Sequence, residues 1–280
     1  VVFSRGNAIE SEQSEIVVNL EGSNASADRR LFVFAVGINT YETVRPNLAF
    51  ADADAEEIAK TLLVGGKTLY NGRVEIRSIL DKDARLSILE REFADLSRRV
   101  GPQDVFIFFY SGHGKTHDGQ FYLLPQDFQY ADDTSFAASG ISQSKLARWL
   151  SQLNTDRIAV FLDACESGAS LTIGDTIRGI IRRQINRAVF AATTDDKPAA
   201  EGIGGHGVFT LALLAALRGA ADFNRDGKIE VSELVPYLSS SVEELARRKW
   251  NITQTPFTYY FGRDYPLVSV AKESGGKPGE

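Results

Sequence analysis

Four short stretches of the chain, Leu31–Ile38, Val105–Tyr110, Ile158–Leu162 and Ala188–Ala192, are apolar without a polar alternate face. A run of that length and uniformity reads as a strand buried on both sides, which requires layers above and below the sheet. Val74–Leu80 is a fifth strand, and Phe257–Phe261 adds an edge strand late in the chain. Between them, apolar residues recur at three- and four-residue steps over Phe50–Leu63, Ala84–Val100, Lys145–Leu153, Val208–Arg218 and Val231–Lys249. That is the spacing of helices with one apolar stripe. Strand and helix in alternation predict an α/β fold with a mostly parallel six-stranded sheet covered on both faces.

Composition narrows the classes of function. The net charge is −6, so the chain lacks the basic excess that nonspecific nucleic-acid or anionic-membrane binding needs. The longest apolar runs fall well short of the ~18–20 residues of a membrane span. A single cysteine and three histidines exclude an internal disulfide framework, a Cys-rich zinc site and a multi-histidine metal centre. Methionine is absent altogether, and no leader-type segment is legible, so the chain reads as a piece of a longer protein. Residues 1–21 alternate weakly and are expected to be the remnant of an upstream β domain. Residues 22–30 read as a linker, 31–268 as one α/β domain, and 269–280 as a disordered tail. With no address elsewhere, the cytoplasm is the expected compartment.

Chemistry concentrates at two strand exits, where open parallel sheets bind ligands. Val105–Tyr110 runs into Ser111-Gly112-His113-Gly114, and Ile158–Leu162 runs into Asp163-Ala164-Cys165-Glu166-Ser167-Gly168. If these strands are neighbours, about 4.8 Å apart, His113 and Cys165 face one another over the sheet edge. An imidazole beside a thiol favours the attacking thiolate and can then protonate a leaving amine. The flanking glycines are expected to leave the imidazole uncrowded and to let backbone N–H groups approach a substrate. The N–H groups of Gly114 and Cys165 are the candidate oxyanion donors. No Gly-x-Ser-x-Gly elbow is present, which argues against a serine esterase.

Phe109-Tyr110-Ser111-Gly112-His113-Gly114 and Phe161-Leu162-Asp163-Ala164-Cys165-Glu166-Ser167-Gly168 resemble the two catalytic blocks of the caspase-like cysteine peptidases, the bacterial metacaspase-like (orthocaspase) branch in particular. The histidine-to-cysteine interval of 52 residues compares with roughly 50 in the caspase signature. The resemblance runs from about Leu31 to Val268 and includes Gln254-Thr255-Pro256. It implies a caspase-like three-layer α/β/α sandwich, with His113 as general base and acid and Cys165 as nucleophile. It also implies a monomer.

Where caspases carry Gln-Ala-Cys, this chain has Asp163-Ala164-Cys165. The period of two along a strand puts Asp163 on the side of Cys165, and a carboxylate there suits a lysine or arginine side chain and repels an acidic one. By resemblance, Asp54 in the first helix and Ser111 line the same pocket, with Asp52 the neighbouring competitor for the role of Asp54. The expected partner is therefore a protein or peptide substrate with a basic residue before the cut.

Asp222-Phe-Asn224-Arg-Asp226-Gly227-Lys228-Ile229-Glu230-Val-Ser-Glu233 fits the twelve-residue EF-hand loop. Asp222, Asn224, Asp226 and Glu233 would offer side-chain oxygens to Ca2+, Lys228 its carbonyl, and Glu230 an oxygen directly or through water. The acidic stretch before the helix that precedes the cysteine strand, which often binds calcium in metacaspases, reads Ile141-Ser142-Gln143-Ser144 here, without carboxylates, although Asp132 and Asp133 lie just upstream. Arg178, Arg182, Arg183 and Arg187 follow the cysteine block, where a peptidase preferring basic residues would cut itself. His206 reads as a loop or cap residue and His117 as exposed. The reading is a cysteine endopeptidase cutting after Arg or Lys, without a cofactor required for the chemistry. Its rival is a non-catalytic calcium-binding interaction module on the same scaffold.

Overall fold

The computed structural model describes residues 28–164, 187–192, 201–203, 205–251 and 254–270. The expectations for residues 1–27, for the tail from 271 and for Cys165 lie outside the described residues, as do Arg178, Arg182 and Arg183.

The apolar runs form the centre of the molecule. Strands β1 (Leu31–Gly37), β3 (Val105–Ser111) and β7 (Arg157–Asp163) lie side by side in parallel. Flanking them are β2 (Val74–Leu80), parallel beyond β1, and β8 (Arg187–Ala191), parallel beyond β7. Strand β12 (Phe257–Phe261) closes the far edge in antiparallel sense, giving the order β12-β8-β7-β3-β1-β2. Every residue of β1 and β3 is buried, as strands covered on both faces must be.

The two faces of the sheet carry separate cores. On one, Leu31, Val33, Ala35, Ile107, Phe109, Ala159 and Phe161 meet helices α1 (Ala51–Leu69), α5 (Val208–Ala215) and α6 (Val231–Trp250). On the other, Phe32, Phe34, Val36, Phe106, Phe108 and Val160 meet α2 (Leu86–Arg99) and α4 (Gln143–Ser151). Odd and even residues of the same strands thus serve opposite layers, a three-layer α/β/α sandwich. Each fully buried Phe contributes on the order of 1.5–3 kcal/mol to holding the layers together. Among the described residues, no helix is long and apolar enough to cross a membrane.

Beside the histidine exit, a small antiparallel sheet joins β4 (Gly114–His117), β5 (Gln120–Leu123) and β6 (Ile141–Ser142), with the short helix α3 (Asp133–Ser139) leading into β6. The hairpin turns at Asp118-Gly119, both at positive φ (48° and 70°). Asp-Gly is the dipeptide such a turn favours, so this sheet had a sequence signal that the reading above left unused. Strands β9 (Glu201–Ile203) and β10 (His206–Gly207) pair just before α5, and β11 (Lys228–Glu230) pairs with β13 (Pro266–Ser269).

Candidate active site at the carboxyl edge of the sheet

Gly37, Ser111 and Asp163 form one row across the last positions of β1, β3 and β7. All three belong to the odd-numbered face, beneath α1 and α5. At Gly37 a Cβ would lie 2.3 Å from the carbonyl oxygen of Ala51 and 2.8 Å from Cα of Asp52. Glycine there lets the first turn of α1 sit directly on the strand end. Asn39 then anchors that turn: its Oδ1 accepts from the N–H of Ala51 (2.7 Å) and its Nδ2 donates to Asp52 Oδ1 (2.5 Å). Asp52 is thereby committed to the helix start, while Asp54 turns inward and is 2 % exposed.

Asp54 and Asp163 bring two buried carboxylates together. Ser111 Oγ donates to Asp54 Oδ2 at 3.3 Å, so Asp54, Ser111 and Asp163 come together from three elements. Thr210, in the first turn of α5, donates both its N–H (3.2 Å) and its hydroxyl (2.6 Å) to Asp163 Oδ2. A Cβ on Gly207 would lie 2.8 Å from Asp163 Oδ2 and 3.3 Å from Asp54 Oδ2. The two carboxylate oxygens are therefore no more than about 6 Å apart. Two buried carboxylates so close call for a cation or for donors between them.

His206 supplies one of those donors, which corrects its reading as a loop or cap residue. Its Nδ1 lies 2.7 Å from Asp54 Oδ1, and the Gly207 N–H donates to Asp54 Oδ2 at 3.3 Å. Sequence reasoning missed it because His206 and Asp54 are 152 residues apart. The available signal was a histidine set in Gly204-Gly205-His206-Gly207, a stretch that can lie flat against a buried wall.

His113 stands at the neighbouring exit. Its Nε2 is 2.7 Å from the carbonyl oxygen of Pro46, and its ring packs against Tyr41 with centroids 4.9 Å apart. The His113 N–H donates to the Tyr41 hydroxyl at 2.7 Å, and the Tyr110 hydroxyl lies 2.9 Å from the His113 carbonyl. Burial pushes both phenols well above their ordinary pKa, so they remain protonated hydrogen-bonding groups. The flanking glycines do not leave open space, contrary to expectation. A Cβ on Gly112 would lie 2.6 Å from the Tyr41 hydroxyl, and one on Gly114 would lie 2.5 Å from the Phe121 ring. Both glycines are needed because aromatic groups press on the histidine loop from each side.

The loop also adjoins the cysteine exit. The Gly112 N–H donates to the Asp163 carbonyl at 3.2 Å, and a Cβ on Gly114 would be 3.4 Å from that of Ala164, the residue before Cys165. Leu124 donates to the His113 carbonyl at 3.0 Å, and the alternation of the antiparallel ladder then turns the Gly114 N–H away from β5.

Elsewhere, Arg187 opens β8 with its guanidinium buried and its Nη2 donating to the Leu150 carbonyl at 2.9 Å. Burial lowers its pKa to about 10. A side chain locked into the core is no cleavage point, so Arg187 is withdrawn from the set proposed for self-processing. His117 is half-buried rather than exposed, stacked on Phe136 (4.3 Å) with its Nε2 3.1 Å from Asp133 Oδ1. With Asp118 it forms the group of three candidate ligands found among the described residues.

In the Asp222–Glu233 loop the carboxylates face inward onto backbone donors. Asp222 accepts from the N–H groups of Asp226 and Gly227 (both 3.1 Å), and Asp226 from Lys228 (2.8 Å). Asn224 Oδ1 accepts from Asp226 at 2.8 Å. Glu233, 8 % exposed, accepts from Phe223, Asn224 and Glu230. Burial, helped by Glu233, Asp226 and Asp264, pushes the Glu230 carboxyl up to about 7.

Comparison with known proteins follows the same outline. Two solved structures share the fold: protein GSU0716 from Geobacter sulfurreducens (TM-score 0.55, 16 % identity, covering 84 % of this chain and 94 % of that one) and caspase-1 from Spodoptera frugiperda (TM-score 0.52, 13 % identity, covering 90 % and 94 %). No curated protein sequence matches the chain. The family model of the caspase domain matches residues 30–261, and the chain belongs to that family, whose members' cysteine peptidase type of function the domain supports.

Proposed function

We propose that the protein is a cysteine endopeptidase that cuts after arginine or lysine, with His113 as general base and acid and Cys165 as nucleophile. The observation that carries the specificity is the pair of buried carboxylates, Asp54 and Asp163, converging beside the histidine loop. A guanidinium or ammonium between them would meet two charge-assisted acceptors, whereas an acidic side chain would meet repulsion.

The catalytic roles are those that the resemblance implies. With the Pro46 carbonyl accepting from Nε2–H, Nδ1 is the nitrogen that takes the thiol proton and returns it to the leaving amine. The thiolate sulfur forms a bond to the scissile carbonyl carbon, the C–N bond breaks, and water then hydrolyses the thioester. The outward N–H of Gly114, with that of Cys165, would receive the developing oxyanion in this reading. Fluorogenic peptides ending in Arg, Lys or Asp test this reading. Hydrolysis of the first two and its loss in Cys165→Ala is expected; preference for Asp, or activity surviving Cys165→Ala, would overturn it.

The Asp222–Glu233 loop belongs to the proposal as a calcium site, with Asp222, Asn224, Asp226, Glu230, Glu233 and the Lys228 carbonyl as ligands. Bound calcium would neutralise the loop's carboxylates and stiffen the entry into α6. Titration calorimetry on the full chain should show a calcium site that Asp222→Ala with Glu233→Gln removes; equal binding by that variant would exclude the loop. Self-processing near Arg178, Arg182 and Arg183 is the remaining element. Active protein of unchanged gel mobility after long incubation would rule it out.

A further inference from the structure

Resting on the acidic-pocket reading, we infer that His206 is the resident occupant of that pocket and gates it: its imidazole holds Asp54 until a basic substrate side chain takes the oxygen over. Asp54 lies behind the imidazole, with side-chain exposures of 3 % for the carboxylate and 19 % for the histidine. His206 stands 2.7 Å from Asp54, closer than Ser111 and Gly207, both at 3.3 Å. A guanidinium entering from solvent therefore competes first with His206. Asp163 is held differently, by Thr210 in the first turn of α5, where Val208 and Phe209 are buried in the core. That side of the pocket is fixed, and the His206 side is the one that can yield.

The backbone around His206 is built for such a movement. Gly205 sits at φ +84°, a conformation that glycine adopts without strain and that makes it a natural pivot. Among the described residues, β10 pairs with β9 through His206↔Ile203 and an irregular Gly207↔Glu201 step. Gly207 presents no side chain to the gap between the carboxylates. Release of His206 breaks its 2.7 Å contact to Asp54, and a bidentate guanidinium replaces what is lost. The gate also disfavours neutral side chains, which gain nothing from displacing the histidine.

The test uses the full chain as Cys165→Ala, with n-butylguanidine as the probe and n-butylurea as its neutral counterpart, in equilibrium binding and in NMR of the histidine ring protons. Removal of a competing internal ligand raises apparent affinity by the fraction of closed state it maintained. His206→Ala should bind butylguanidine roughly three- to tenfold tighter, and His206→Arg should bind it weakly or not at all because the plug becomes permanent. The His206 ring resonance should shift on titration with butylguanidine and not with butylurea, while that of His117 stays in place. His206→Gln, which retains a hydrogen bond to Asp54 without charge, should fall between parent and alanine variant. Weaker or equal binding by a folded His206→Ala, or a His206 resonance that ignores the probe while the Ser111 and Asp163 amides respond, would overturn the gate but leave the acidic pocket standing. Failure of butylguanidine to bind any of the variants would overturn the pocket reading itself, and the gate with it.

Discussion

Ser111 and Asp163 are register partners at the carboxyl ends of two adjacent parallel strands, on the face that α1 covers. The pocket follows from that single pairing. A residue on β3 and a residue on β7 share a row, Asp54 is lowered onto the row by the start of α1, and His206 reaches it from the strap before α5.

Asp54→Asn should lower kcat/KM for peptides ending in Arg by about 10- to 100-fold, the loss of one charge-assisted hydrogen bond of roughly 1.5–3 kcal/mol. The effect should lie mainly in KM, since Asp54 touches the substrate side chain rather than the reacting atoms. Steady-state kinetics with matched Arg and neutral peptides measure it; an equal loss for both peptides would remove Asp54 from recognition.

Gly207→Ala places a methyl group 2.8 Å from Asp163 Oδ2, between the carboxylates. Overpacking of this kind costs about 1–3 kcal/mol of stability. The melting temperature should fall, and cleavage after Arg should fall further than the loss of folded protein accounts for. Thermal unfolding and kinetics on the same preparation separate the two effects.

Tyr41→Phe removes the acceptor of the His113 N–H while keeping the ring against the imidazole. An unpaired N–H in this half-buried loop costs about 1–3 kcal/mol. Turnover should drop at nearly constant KM, because the histidine loses its position and the acidic pocket does not. A KM change without a kcat change would contradict this role.

Asp104, 3 % exposed, ties the chain before β1 to the start of β3. Its carboxylate accepts from the Arg30 backbone (2.9 Å), from the Arg30 guanidinium (2.6 Å) and from the Gly101 N–H (2.7 Å). Asp104→Ala should destabilise by about 2–3 kcal/mol, below the 3–5 kcal/mol of a fully buried pair because the guanidinium is half-exposed. Denaturant unfolding measures the loss, and substrate preference should be unchanged.

The layers of the fold were legible because burial on both faces writes itself locally. Leu31–Ile38 and Val105–Tyr110 have no polar face, and the structure returns β1 and β3 at those positions. The edge strand Phe257–Phe261 and helices α1, α2 and α6 also follow the spacing of their apolar residues. The hairpin of β4 and β5 was harder, since four-residue strands carry little periodicity and only Asp118-Gly119 marked the turn. Arg187 was misjudged because a basic residue next to a loop reads as exposed until its burial against Leu150 is known.

By itself the sequence determined the sheet, the layers on either side and the strand exit at which His113 stands, because apolar periodicity and strand-end glycines act over a few residues. Tertiary structure alone decided that Asp54 rather than Asp52 turns inward to Ser111, that His206 stands 2.7 Å from it, and that the glycines at 112 and 114 meet aromatic neighbours. Those outcomes depend on contacts between segments far apart in the chain. Desolvated charge selects its partner by distance in space, and no local pattern of residues encodes that distance.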